Sequence, residues 1–421
     1  MRALWTVVHR WVGLFLAAFL VMTGLTGAVL SWDHEIDDWL NADMLHTPGR
    51  GPLQTPLQLA QAVQAADARV EISYMSLGLR EGEAASFLVR PLVDQATGKP
   101  HVLGYNTVFV DPVTGAITGH RDSKSLALSW RNLMPWLRHL HESLLSPTFA
   151  GSNRWGYWFM GGLALLWLAD SFWALVLTLP VKKKAAAAGA QDVPAKAGGK
   201  SWWARWMPSW RIRWGAGAYK LNFDLHRAGA LWIWGVIVIV AFTSFSINLY
   251  REVFYPVMSK VSTTTPGPYE TLKPAPLGSF IEPEIGFATA IEIARKEAVQ
   301  LGIKTEAGGI WYGGDFPFYN VSFFDPDDET GAMGMGLSNV YVSSESGEVL
   351  GSYRPWHGTG ADVFVQLQLP LHSGRILGTF GRVLISLVGV MVAMLSITGV
   401  IIWWRKRRAR RTALATVGAS A

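Results

Sequence analysis

Four histidines stand in two matched pairs of places along the chain. His9 and His226 each open a long apolar run, in VHRWVGL at 8–14 and LHRAGAL at 225–231, followed at once by Arg and within one helical turn by Gly13 or Gly229. His141 and His372 each lead into another apolar run, through LHESLL and LHSGRIL. Measured from a Gly in the preceding turn, His141 follows Gly119 by 22 residues and His372 follows Gly351 by 21. Two imidazoles facing each other across a helical bundle can supply both axial nitrogens of a b-type haem, which needs no covalent attachment. The chain has no cysteine, so c-type haem, disulfides, iron–sulfur clusters and thiolate zinc sites are all excluded. Arg10, Arg227 and Arg375 lie beside or near these histidines and suit haem propionates. Gly13 and Gly229 suit a flat macrocycle lying against a helix.

A plainer reading exists for each residue alone, since a His at a helix end commonly just caps carbonyl groups. Repetition is what favours ligation: two pairs, each generated by internal symmetry, make two b-type haems. His139 lies two residues from His141 and on a helix points elsewhere, so it is an alternative ligand only. His34, His46, His101, His120 and His357 lack such support and read as exposed or turn residues.

The elements that must hold these residues are membrane spans. Half of the 421 residues are hydrophobic, 16% are charged and 21 are Trp, a membrane-protein composition. Runs 11–32, 228–250 and 383–404 carry no charge, and 155–181 carries only Asp170. Each is long enough to cross a bilayer as a helix. The organisation expected is transmembrane helices in 1–32, 155–181, 228–250 and 383–404, two large segments 33–154 and 251–382, a loop 182–227 and a basic tail 405–421. The N-terminus, loop and tail together hold 18 basic and 2 acidic residues, whereas the two large segments hold 19 and 28. Because Lys and Arg are retained on the cytoplasmic side, both termini and the loop are expected inside and the large segments outside. The net charge of +6 is then a topology signal and calls for no nucleic acid. The first run is longer than the apolar core of a signal peptide and is read as a retained span. The Ala/Gly-rich stretch 185–200 reads as a linker, and 201–214, with Trp and Arg interleaved, as a segment among lipid headgroups.

Each large segment carries an amphipathic helical stretch (57–66 and 288–299) and then strand-like runs ending in a turn, DPVTGAITGHR at 111–121 and SSESGEVLGSYR at 343–354. The order span, outer domain, His, span thus occurs twice in parallel orientation, which implies a pseudo-twofold axis along the membrane normal. The fold class expected is a mainly α, four-span bundle of two parallel repeats with two outer α+β domains. Asp170 inside the second span has two readings, a proton-handling group near a haem or a structural hydrogen bond to Thr243 or Ser244, and the second is the plainer.

HRWVGL…TGLTGAVLSW, DPVTGAITG, LHESLL, DLHRAGAL, LHSGRILGTFGR and ITGVIIWWRKR together resemble the PepSY-associated transmembrane proteins, also called iron-regulated membrane proteins. The resemblance covers nearly the whole chain apart from 185–200 and the tail after Arg411. It implies PepSY-like α+β periplasmic domains, a bacterial inner-membrane location and the reduction of ferric siderophores by a protein carrying two haems. The chain departs from the pattern at Ala169-Asp170-Ser171, where the family, like Thr398-Gly399 of the fourth span, tends to have Thr/Ser-Gly.

The function expected is a transmembrane electron conduit from a haem on His9 and His226 to one on His141 and His372, and then to a periplasmic ferric siderophore. Hard oxygen chelators hold Fe(III) far better than Fe(II), so reduction favours release. The donor is expected to be a quinol or a separate flavoprotein: GAMGMG at 331–336 lacks dinucleotide-binding spacing, and the 46-residue loop is too short for a flavin domain. Arg121, Arg354, Trp356 and His357 are available for an anionic or aromatic substrate. The rival expectation is a haem-free, membrane-anchored protein whose PepSY-like domains bind a periplasmic partner or inhibit a peptidase.

Overall fold

Four helices are long and apolar enough to cross a membrane: α1 (Arg2–Leu30), α5 (Trp155–Thr178), α6 (Ala218–Asn248) and α9 (Gly378–Gly418). The structure, a computed structural model, describes residues 2–181, 201–325, 328 and 331–418; the stretch 185–200 lies outside the described residues. Three of the helices extend beyond their uncharged runs. The run marks what a bilayer can cover, whereas backbone hydrogen bonding continues until something interrupts it. For α6 that interruption is Gly217, at φ +81°, a region that glycine enters without steric cost. The extension matters because it carries His9 and His226 on regular helix.

The chain divides into two compact units. The helical unit, residues 1–29, 160–245 and 383–421, holds most of the four long helices. A third or less of each apolar window is buried within the protein, so the remaining side chains need lipid around them. Inside, Ile237, Val388, Val392 and Leu395 form a buried cluster with Leu20 and Trp167 packed against it. α1 and α9 approach through small residues. A Cβ on Gly24 would stand 2.5 Å from the Gly389 carbonyl oxygen, one on Gly389 would stand 2.3 Å from that of Gly24, and Ser386 Oγ donates to the Ala28 carbonyl at 3.1 Å. Such contact is the usual means of helix association where lipid tails remove the hydrophobic drive. Arg2 donates to the carbonyls of Leu177 and Leu179, satisfying groups the end of α5 leaves open. Trp202, Trp203, Trp206 and Trp210 form a ring cluster tied to the same end through Trp206 Nε1 and Thr178 Oγ1 at 3.1 Å.

The second unit, residues 30–159 and 246–382, is built on a sheet. After α2 (Asp33–Leu40) and α3 (Pro56–Ala66) come β1 (Val70–Ser76), β2 (Ala85–Pro91), β3 (Thr107–Val110), β4 (Ile117–Arg121) and α4 (Leu133–Ser143). Its second chain segment contributes α7 (Phe287–Gln300), β5 (Ala307–Trp311), β6 (Phe318–Phe323), β7 (Ser338–Ser343), β8 (Val349–Tyr353) and α8 (Gln368–Ser373). The eight strands form one antiparallel sheet in the order β8-β7-β6-β5-β1-β2-β3-β4. The segments therefore meet strand to strand, with Tyr74, Met75 and Ser76 opposite Trp311, Ile310 and Gly309. Alternation along β2 and β6 sends Ala85, Phe87 and Val89, and Phe323 and Val321, into one core with Leu59 and Val63 of α3 and Ala290, Ile291 and Ala294 of α7. The start of α3 is fixed by Pro56 and by a reciprocal capping box between Thr55 and Gln58. Both amphipathic stretches and both terminal turns lie as the sequence leads one to expect, the turns joining β3 to β4 and β7 to β8.

Candidate functional site

α1 and α6 bring His9 and His226 together within the helical unit, their ring centroids 6.2 Å apart and their planes at 45°. Each ring is held from behind through Nδ1. His9 Nδ1 lies 2.9 and 3.0 Å from the two carboxylate oxygens of Asp170 on α5. His226 Nδ1 lies 2.9 Å from the Leu395 carbonyl and 3.2 Å from Thr398 Oγ1, both on α9. A carbonyl or carboxylate accepts, so on both rings Nδ1 is the donor, and Nε2 is the ring nitrogen left for a metal. Gly399 makes room for this arrangement, since a Cβ there would stand 3.1 Å from His226 Cε1. Beside His9, a Cβ on Gly13 would meet nothing within 4 Å, whereas one on Gly229 would meet Met394 Cε at 3.3 Å. The Gly13 side is open; methionines fill the Gly229 side.

Asp170 is thus a partner of His9, which corrects the expectation of a bond to Thr243 or Ser244. Those hydroxyls donate to the carbonyls of Ile239 and Val240 in their own helix. Asp170 lies in the second span and Thr398 in the fourth, and each meets the histidine of its own half.

α4 and α8 bring His141 and His372 together in the sheet-bearing unit, again with ring centroids 6.2 Å apart, at 64°. The two short helices stop in similar ways. α4 ends at Leu144, left-handed at φ 56°, whose N–H returns to the carbonyls of His139 and Leu140; α8 ends at Gly374, φ 75°. A left-handed Leu costs of order 1 kcal/mol and persists only where its surroundings hold it. Two residues beyond each histidine a carbonyl packs against a glycine at the start of the next span. A Cβ on Gly156 would stand 2.0 Å from the Ser143 oxygen and one on Gly381 1.9 Å from the Gly374 oxygen. The buried Asp33 carboxylate joins the two sides, accepting from Arg138, three residues before His141, and at 3.2 Å from Arg375, three residues after His372. Burial pushes the Glu142 carboxyl up, against the nearby Arg138 charge.

Whether these pairs fit haem iron is a matter of spacing and protons. An imidazole nitrogen binds a metal at about 2 Å, so two rings on opposite sides of one iron have centroids roughly 6 Å apart. Both pairs have that spacing. Ordinary aromatic pairs also reach it; in the His9–His226 pair both rings are in addition anchored through Nδ1, the outer hydrogen bond that metal-bound histidines use. The residues present fit the group. For propionates, Arg227 is engaged by Asp224 and the Pro208 carbonyl and Arg375 by Asp33, while Arg10 makes no ion pair among the described residues.

The remaining candidates fall elsewhere. Arg121 is buried in a two-bond pair with Asp37, and Arg354 donates to the Leu301 carbonyl, so both act as struts. Trp356 is 41% exposed at φ 65°, its N–H held by Gln366, and His357 Nδ1 donates to the Pro355 carbonyl. His34 lies beside Asp33, His46 pairs with Asp38 at 2.8 Å, and His120 packs on Tyr105. His139 offers its carbonyl to Ser143 Oγ at 2.9 Å. Nothing in DHEIDDWL distinguishes Asp33 from its acidic neighbours, so the sequence alone does not single it out.

Four membrane-length helices, with the strand-rich segments falling between them in the sequence, define a multi-pass membrane protein. The chain belongs to the PepSY-associated transmembrane family: the family model for the PepSY-associated TM region matches residues 6–406, which include all four histidines. No curated protein matches the chain.

Proposed function

We propose that the chain is a bacterial inner-membrane, di-haem b-type reductase that passes electrons to a periplasmic ferric siderophore and so releases Fe(II). The observation that carries this reading is the pair of histidine pairs, equal in ring separation, with each member drawn from a different half of the sequence. His9 and His226 would hold one haem and His141 and His372 the other, with Arg10 the guanidinium best placed in sequence for a propionate. Bound haem would supply a one-electron Fe(III)/Fe(II) couple at each pair. The protein's part is to fix the ligands: Asp170, Leu395 and Thr398 set the proton and tilt of the first pair, and Asp33 with the Gly156 and Gly381 contacts sets the second. In this reading the halves are parallel repeats, the sheet is two PepSY-like domains joined edge to edge, and the termini are cytoplasmic. A quinol or a flavoprotein supplies electrons from outside the chain. The substrate needs no ligand from the protein on its iron; one electron lowers the hold of its oxygen donors.

The test is optical. Protein produced with haem supplied should give a Soret band, an α band sharpened by dithionite, and close to two b-type haems per chain by pyridine haemochrome, all extractable by acid–acetone. In liposomes exposing the sheet-bearing unit, a membrane-impermeant ferric chelate should reoxidise the reduced protein from that side. Protein without haem would overturn the reading in favour of a binding or regulatory role, and reoxidation only from the opposite side would reverse the direction.

A further inference from the structure

The two rings of the first pair are backed by unlike groups. His9 donates its Nδ1 proton to a carboxylate, while His226 donates to two neutral oxygens. The carboxylate is buried, Asp170 being 6% exposed, and among the described residues its hydrogen bonds and its ion pair are with His9 and not with an Arg or Lys. An anion on Nδ1 draws the proton outward and leaves more electron density at Nε2, strengthening that nitrogen as a donor to ferric iron. The negative charge acts in the same direction, because in a low-dielectric interior it favours the more positive of two metal states. Both effects stabilise the oxidised form at this pair.

We propose that Asp170 is a positioning and tuning residue that makes His9 the stronger donor of the two and lowers the reduction potential of the His9–His226 site below that of the same pair with two neutral acceptors. The proposal rests on the haem reading above and adds a direction to it. A lowered potential at this pair favours passing an electron onward over keeping it. It also gives a physical reason for an aspartate within a span, where a carboxylate is expensive unless partnered.

The experiment is a spectroelectrochemical titration of the full-length protein, with His141→Ala used to identify the wave of the other haem. In Asp170→Asn, an amide oxygen can still accept from Nδ1 but the charge is gone. At a fixed ambient potential the ferrous-to-ferric ratio of the His9–His226 wave should rise about tenfold, about 59 mV for one electron, with haem content unchanged. The ferric spectrum should lose imidazolate character, seen as a changed g-value spread in electron paramagnetic resonance. Thr398→Ala, which leaves the Leu395 carbonyl in place, should move the ratio less than twofold. If Asp170→Asn fails to retain this haem, Asp170→Glu decides: retention with a ratio near that of the unchanged protein supports the assignment, and a tenfold rise overturns it. Two haems with an unmoved wave in Asp170→Asn would overturn the role of Asp170 alone. Absence of haem from the unchanged protein would overturn both readings.

Discussion

The ring of His141 stands 6.2 Å from that of His372, although 231 positions separate them in the chain, and the ring planes are inclined at 64°. Neither half of the chain can form this pair alone. If a metal group joins them, each ligand is indispensable to its own site and irrelevant to the other.

Alanine replacements should therefore sort into two classes. His9→Ala and His226→Ala should each remove one spectral component, and His141→Ala and His372→Ala should each remove the other, leaving about one haem per chain in every case. The measurement is a reduced-minus-oxidised spectrum with haem content on each variant. Loss of the same component in His9→Ala and His141→Ala would show the pairing to be wrong.

Asp33 tests how the second pair is held. Its carboxylate lies between Arg138 and Arg375, with 7% of its side chain exposed. Asp33→Ala leaves two guanidiniums facing each other without their shared acceptor, and because both are partly exposed a loss of about 2 kcal/mol is expected. Thermal unfolding in detergent gives the stability, and the spectrum gives the site: the His141–His372 component should weaken while the other stays. Equal weakening of both components would mean that Asp33 acts through general folding and not through these ligands.

Gly24 and Gly389 should tolerate no side chain. An added Cβ would meet a backbone oxygen, which no rotamer change can relieve. Gly24→Ala or Gly389→Ala should cost about 1–3 kcal/mol and lower the melting temperature in detergent. Gly162, whose Cβ would meet nothing within 4 Å, is the internal control, and Gly162→Ala should be close to neutral. Equal effects at all three would refute the close approach of α1 and α9.

One cluster away from the histidines should show in the pH dependence of the sheet-bearing unit. Asp67 accepts from Arg69 at 2.7 and 2.9 Å and from the Tyr105 hydroxyl at 2.6 Å. The Arg69 bond, then that of Tyr105, hold the Asp67 carboxyl well below its ordinary 3.8, and burial, then the Asp67 bond, push Tyr105 up to about 12. A lowered carboxylate contributes stability that is present above its unfolded value and lost as pH falls below about 4. A raised tyrosine contributes below its unfolded value near 10, and that contribution is lost as pH rises through about 12. Asp67→Asn should flatten the acid limb of a stability–pH curve and make one tyrosine ionise earlier in an ultraviolet titration. An unchanged tyrosine titration would mean that burial alone raises Tyr105.

Local patterns were enough for much of this protein. Uncharged runs of bilayer length are visible in any window, and so are the helices at 57–66 and 288–299 and the two terminal turns, because periodicity and turn chemistry act over a few residues. The repeated His-Arg and Leu-His motifs singled out the four histidines, since a repeat is a comparison within one chain. What the sequence left open depends on residues brought together from far apart. That Asp170 bonds His9, that Leu395 offers its carbonyl to His226, and that Asp33 gathers Arg138 and Arg375 follow from helix rotation and packing, which a one-dimensional pattern does not carry. The joining of two strand sets into one sheet through β1 and β5 is of the same kind, because an edge strand's unpaired groups do not name their partner. Sequence determined which residues could do chemistry; only the tertiary structure decided which of them face each other, because a hydrogen bond at 2.9 Å is a fact about distance in space and not along the chain.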